Sequence, residues 1–200
     1  MNRRNSIMIA LGALVAGAAA LVYAHKETGD LPLGMTAGTA LAAGEATGQA
    51  PAPLYDFAAL PEPVKRMLEQ IAAAAQSGEI ENMLPVFESN ELKPMIAEAY
   101  VADPIAFWKK ESADSSGRDV LAAMLDVMSS GFVKVGQGQD EMYVWPYFAE
   151  TDLAKLTPAQ EVELYRVVPP ALAVPMKKDG KYNYYRLGIS PDGVWHYFMR

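Results

Sequence analysis

The sequence predicts an α+β domain whose helical N-terminal half packs on an antiparallel sheet in the C-terminal half. Three observations predict it. Apolar residues recur at helical spacing over 64–75 and again over 120–128, the spacing of a helix with one buried face. After Gly131 the period changes to short β-branched and aromatic runs around turn residues. The sequence closes on KYNYYRLGI, then SPDG, then VWHYFMR, a β-hairpin around which the rest is expected to be organised.

The first 24 residues have the three parts of an export leader. Arg3 and Arg4 supply a basic start, Ile7 to Leu21 an apolar run, and Val22-Tyr23-Ala24 an end whose small residues, Val22 and Ala24, suit a peptidase pocket. An anchor in the inner membrane formed by residues 7–24 is the alternative. Gly12, Gly17 and several alanines weaken the run as a span and favour cleavage before His25. The Arg3-Arg4 pair is similar to a twin-arginine signal, but Asn5-Ser6 follows it, so ordinary secretion to the periplasm or beyond is expected. Residues 25–53 are Ala, Gly, Thr and Pro with few large side chains; they offer too little apolar surface to offset chain ordering and read as a flexible linker. The domain is then residues 54–200.

Taken in order, Pro61 and Pro63 suit a helix entry, with Val64, Met67, Leu68, Ile71 and Ala75 inward and Ser77-Gly78 as the stop. A short helix with Ile80, Met83, Leu84 and Phe87 on one face follows, then a third over Glu91–Tyr100, bent near Pro94. Asp103-Pro104 is a strong start for a fourth helix carrying Ile105, Phe107 and Trp108. Ser115 or Ser116 is expected to cap a fifth, with Val120, Leu121, Met124, Leu125 and Met128 as its stripe and Gly131 as its close. Residues 132–135 and 141–145 read as strands around a Gly-rich turn, and Pro146 ends the second or places it at an edge. Thr157-Pro158-Ala159-Gln160 has the form of a capping box; its helix is expected to reach Pro169-Pro170, where a proline-containing loop begins. In the closing hairpin the SPDG turn sets Ile189 against Trp195, Leu187 against Tyr197 and Tyr185 against Met199. The opposite face would then carry Gly188 beside His196 and Arg186 beside Phe198.

Three blocks, DPIAFWKKESADSSGRDVLAAML, YVWPYFAETDLAKLTPAQEVELYRVV and YYRLGISPDGVWHYF, resemble those of a family of exported bacterial proteins of unknown function. The resemblance covers roughly residues 60–200 and implies no catalytic residue. At the level of fold, a helix pair followed by a curved sheet resembles the NTF2-like proteins, which implies a cone-shaped fold and no particular activity.

Composition excludes several functions. The formal charge is −7, without a basic stripe, so phosphate backbones are repelled and no nucleic acid is expected as partner. There is no cysteine, so disulfides, thiolate catalysis and thiolate metal sites are excluded. His25 and His196 are the only histidines and no ligand spacing surrounds them; no metal or cofactor is expected. Ser129-Ser130-Gly131 lacks the frame of a nucleophile elbow and reads as a helix end. Gly136 and Gly138 are turn residues, too isolated for a phosphate loop.

The aromatic set is the remaining signal: Trp108, Tyr143, Trp145 and Tyr147, then Tyr182, Tyr184, Tyr185, Trp195 and Tyr197. Either these rings form the core of a sheet on helices, or those on its far face line a concave site. The second reading makes Tyr184, Arg186, His196 and Trp145 the candidate ligand-binding residues, for a small molecule, glycan or envelope protein. The function expected is then a non-enzymatic periplasmic ligand-binding or envelope interaction module. The alternative is an envelope hydrolase or isomerase that uses carboxylates and His196 in a sheet-lined pocket.

Overall fold

A computed structural model describes residues 51–200, which belong to one compact unit. The expected leader and the linker up to residue 50 lie outside the described residues. Over the described residues the fold is α+β: six α-helices, four of them before the first strand, and a four-stranded antiparallel sheet whose strand order follows the chain.

Helix α1 (Glu62–Gln76) begins with proline in its first turn and buries Val64, Met67, Leu68, Ile71, Ala74 and Ala75, the stripe that the spacing predicts. Full burial of a side chain such as Val64 or Ile71 is worth about 1.5–3 kcal/mol. A 3-10 turn (Ile80–Met83) then runs into α2 (Leu84–Ser89). The change of helix type rotates the face, so Val86 is buried and Leu84 is exposed, unlike the single face expected.

No third helix forms over Glu91–Tyr100; residues 91–103 are irregular. Asn90 and this segment instead exchange hydrogen bonds with β4 (Trp195–Met199), the edge strand of the sheet. The Asn90 side chain accepts from the Trp195 amide at 2.9 Å and donates to the Trp195 carbonyl at 2.8 Å. The Met95 amide donates to the His196 carbonyl at 2.8 Å, and its carbonyl accepts from the Phe198 amide at 2.9 Å. An edge strand carries outward amides and carbonyls that need partners, and here a loop supplies them.

Asp103 caps α3 (Pro104–Glu111) by accepting from the Ala106 amide at 2.9 Å. Helix α4 (Arg118–Met128) presents its expected stripe, with Leu125 only partly buried, and packs on α1. Its cap differs from the expectation: Gly117, at φ 85°, holds the N-cap position. Ser116 instead takes part in a turn closed by Asp114, whose carboxylate accepts from the Ser116 and Gly117 amides. Hydrogen bonds from the Ser112 and Ser116 hydroxyls hold that carboxylate well below the usual range. Gly131 is a close-approach residue rather than a left-handed helix stop, since a Cβ there would lie 2.7 Å from the Tyr55 ring.

Strands β1 (Val133–Val135) and β2 (Met142–Trp145) form the first hairpin, with Val133 opposite Val144. The capping box of α5 (Pro158–Val167) is complete, with Thr157 and Gln160 bonding each other's amides. After it comes a helix where a loop was expected. Helix α6 (Pro170–Asp179) starts on Pro170, tolerates Pro175 inside, and stops at Gly180 with φ 72°. Strand β3 (Arg186–Ile189) then pairs with both β2 and β4.

The closing turn has the expected form. The Gly193 amide donates to Ser190, the Ser190 amide donates to Val194, and Gly193 has φ 89°. Ile189 does lie opposite Trp195, but the register shifts beyond it. Gly188 is opposite Tyr197, Leu187 opposite Phe198 and Arg186 opposite Met199, a correction of one residue caused by an irregularity at Gly188/Ile189. The shift exchanges faces: Phe198 becomes fully buried and Tyr197 only partly so. Gly188 is required here, since a side chain would collide with the Tyr197 ring.

Candidate functional site: an aromatic cavity at the open end of the closing hairpin

The structure distributes the four residues expected to bind a ligand rather than gathering them. Trp145 has no exposed surface and packs among Phe57, Phe132 and Tyr143, so it is core. Arg186 is exposed at the start of β3. Tyr184 is half-buried and lines a cleft of about 290 Å³ beside Asp119, Asp126, Tyr165 and Arg166. Burial raises the pKa of Asp126 there, with Arg166 opposing it.

His196 meets Ser190, its Nε2 lying 2.9 Å from Oγ. The Ser190 hydroxyl also bonds the Asp192 carboxylate, which that bond, above all, holds below the usual range. The order is therefore Asp–Ser–His. In a hydrolytic triad the carboxylate orients the histidine and the histidine takes the serine proton. Here Asp192 bonds the serine and not the histidine, and the serine is buried in a turn. These contacts tie the closing turn together.

Aromatic residues from elsewhere in the chain do form a site. Helix α3 contributes Phe107, Trp108 and Glu111 to the lining of a cavity of about 200 Å³. Tyr185, just before β3, and Arg200, just after β4, line it too. The 96–98 segment of the covering loop, with Glu98, completes the lining. That segment also borders a second, more apolar cavity of about 260 Å³, lined by Lys93–Val101 and Pro104.

The lining is fixed by packing. The Trp108 ring meets Phe87 at 5.5 Å and Phe198 edge-on at 6.2 Å. Phe198 in turn stacks parallel on Tyr185 at 4.9 Å between centroids. The Arg200 guanidinium lies over the Tyr185 ring, 5.5 Å from its centroid, and 3.6 Å from a Glu111 oxygen. Burial raises the pKa of the Tyr185 phenol, partly offset by Arg200. The Trp108 indole N–H is buried with no hydrogen-bond partner among the described residues. Trp108 and Tyr185 were visible in the sequence as members of the aromatic set. Their meeting with Arg200 and Glu98 was not, because it depends on how α3 packs against the end of the β3–β4 hairpin and on the loop crossing β4.

Among the described residues there is no group of three or more His, Asp or Glu placed to hold a metal ion, and no helix long and apolar enough to cross a membrane. No protein-family model, no curated protein and no solved structure matches the chain.

Proposed function

We propose that the chain is an exported, non-enzymatic module that binds a small ligand in the cavity between α3 and the open end of the β3–β4 hairpin. The observation that carries this is the cavity itself: three aromatic residues and a few charged groups converge on a space of about 200 Å³. Ligand sites are mostly apolar hollows with a small number of placed polar groups, and this one has that composition. The Asp192–Ser190–His196 order supports a role without hydrolysis, because the carboxylate bonds the serine rather than orienting the histidine. Export is supported by the order of basic start, apolar run and small residues in positions 1–24, and the resemblance to exported proteins agrees with it.

Two measurements test the reading. In ¹H–¹⁵N spectra of labelled protein titrated with single-ring aromatic compounds, the indole resonance of Trp108 and the amides of Ala97 and Tyr185 should move together. Shifts scattered over the surface, with those three unmoved, would show that the cavity is not a ligand site. For export, N-terminal sequencing of protein from the cell envelope should begin at His25; intact Met1 on a membrane-bound product would make residues 7–24 an anchor.

A further inference from the structure

Resting on the small-ligand reading above, we infer that the Phe107–Trp108–Tyr185 cavity recognises an organic monocation with a single-ring or similarly compact apolar body. The charge of the walls points this way. Two carboxylates, Glu98 and Glu111, line the cavity against one guanidinium, Arg200. An incoming anion would meet both carboxylates, and the one cation available to it is already within 3.6 Å of Glu111. A cation meets the opposite balance.

The aromatic walls act in the same direction. Aromatic faces carry negative quadrupole density, so rings grouped with a carboxylate form a seat for positive charge. The protein demonstrates this with its own side chain: Arg200 lies over the Tyr185 ring and beside Glu111, the position a ligand cation would take. Tyr185 is held for this by its parallel stack on Phe198. The Arg200 side chain is 48% exposed, so it can leave toward solvent when a ligand takes its place. Arg200 is thus an internal competitor as well as a stand-in.

Size sets the body of the ligand. A cavity of roughly 150 Å³ accommodates benzene. The 200 Å³ here leaves room for one ring and a short charged arm.

The test uses three probes of nearly equal shape, titrated into the full chain and followed by calorimetry and by the Trp108 indole resonance: benzylammonium, benzyl alcohol and benzoate. Benzylammonium should bind at least about tenfold tighter than the other two, and less tightly as salt is raised. Glu111→Gln should weaken it by about tenfold, while Arg200→Met should tighten it by removing the competitor. Both positions are substantially exposed, so neither change threatens the fold. Benzyl alcohol binding as tightly as benzylammonium, unaffected by Glu111→Gln, would overturn the cation inference and leave the cavity reading standing. Benzoate binding best, and lost in Arg200→Met, would overturn it in favour of an anion. If none of the three moves the indole resonance, the inference and the small-ligand reading fail together.

Discussion

Trp195 has no exposed surface and stacks on Phe87 at 5.2 Å, so its ring belongs to the core that joins α2 to the sheet. Truncating it leaves a cavity that the surrounding helices cannot fill; Trp195→Ala should cost roughly 3–5 kcal/mol in urea unfolding. Its neighbour His196 is partly buried and bonded to Ser190, whose hydroxyl keeps Asp192 as a partner when the ring is removed. His196→Ala should therefore cost about 1 kcal/mol, the net worth of one ordinary hydrogen bond. Arg186 is exposed, and Arg186→Ala should stay within about 0.5 kcal/mol. A severe loss from Arg186→Ala, or a mild one from Trp195→Ala, would contradict the register in which Leu187 faces Phe198. The same residues show why this register was not legible beforehand. The SPDG turn places Ile189 opposite Trp195, as its local chemistry requires, but one irregular position at Gly188/Ile189 moves every later pair. The collision that a side chain at Gly188 would have with the Tyr197 ring is a tertiary fact, absent from any local pattern.

At the scale of elements, the parts that were legible are those whose signal is local. The stripe of α1, the Asp103 cap of α3, the capping box of α5 and the first hairpin all carry their chemistry within a few residues. Two segments differ from the expectation. Pro169-Pro170 read as the start of a loop, yet α6 forms because Pro170 occupies its first turn and Gly180 gives it a left-handed stop. Residues 91–100 carry enough apolar side chains for a helix, but the edge of β4 competes for their backbone and wins through Met95. Tyr100, expected within that helix, is 83% exposed. The candidate site depends on this outcome, since the loop supplies Ile96, Ala97 and Glu98 to its lining. One element held by contacts far apart in sequence invites a direct test. Leu54 pairs with Phe132, Phe57 packs on Phe132 and Trp145, and the Tyr55 hydroxyl donates to Glu163 at 2.8 Å. Glu163 also accepts from Tyr147 at 3.1 Å and from the Gly131 amide at 3.2 Å, so it ties this strap to α5, Tyr147 and the Gly131 backbone. A chain starting at Pro61 should be less stable than one starting at Pro51 by about 2–4 kcal/mol, since it uncovers Trp145 and loses buried Leu60. Equal melting temperatures for the two would show that the strap contributes nothing.

For the molecule as a whole, the buried tyrosines determine how stability responds to alkali. Burial pushes the Tyr197 phenol up to about 12, and raises those of Tyr182 and Tyr147 as well, the latter further by the Glu163 carboxylate. An unfolded tyrosine titrates near 10. Below that pH both states hold the proton, and the full preference of the fold for the neutral phenol is present. Above it the unfolded chain releases protons that the folded chain keeps, so the unfolded state binds fewer and stability must fall as pH rises. For Tyr197 the fall runs from about 10 to about 12. Each such tyrosine steepens it by up to about 1.4 kcal/mol per pH unit. Lys134 and Lys177, raised by Glu141 and Glu161, act with the same sign, because their ion pairs also disappear as pH rises. The chain, already at −7, gains further negative charge over the same window and repels itself more strongly. Urea midpoints should thus be flat from pH 8 to about 9.5 and drop steeply by about 11. Because lysines contribute, the tyrosine share is isolated by comparison with Tyr197→Phe, which keeps the ring and removes the ionisable group. That variant should lose stability less steeply above pH 10 than the parent chain. Parallel curves for the two proteins would mean that Tyr197 ionises freely in the fold, which is incompatible with a ring packed over Gly188 in the sheet.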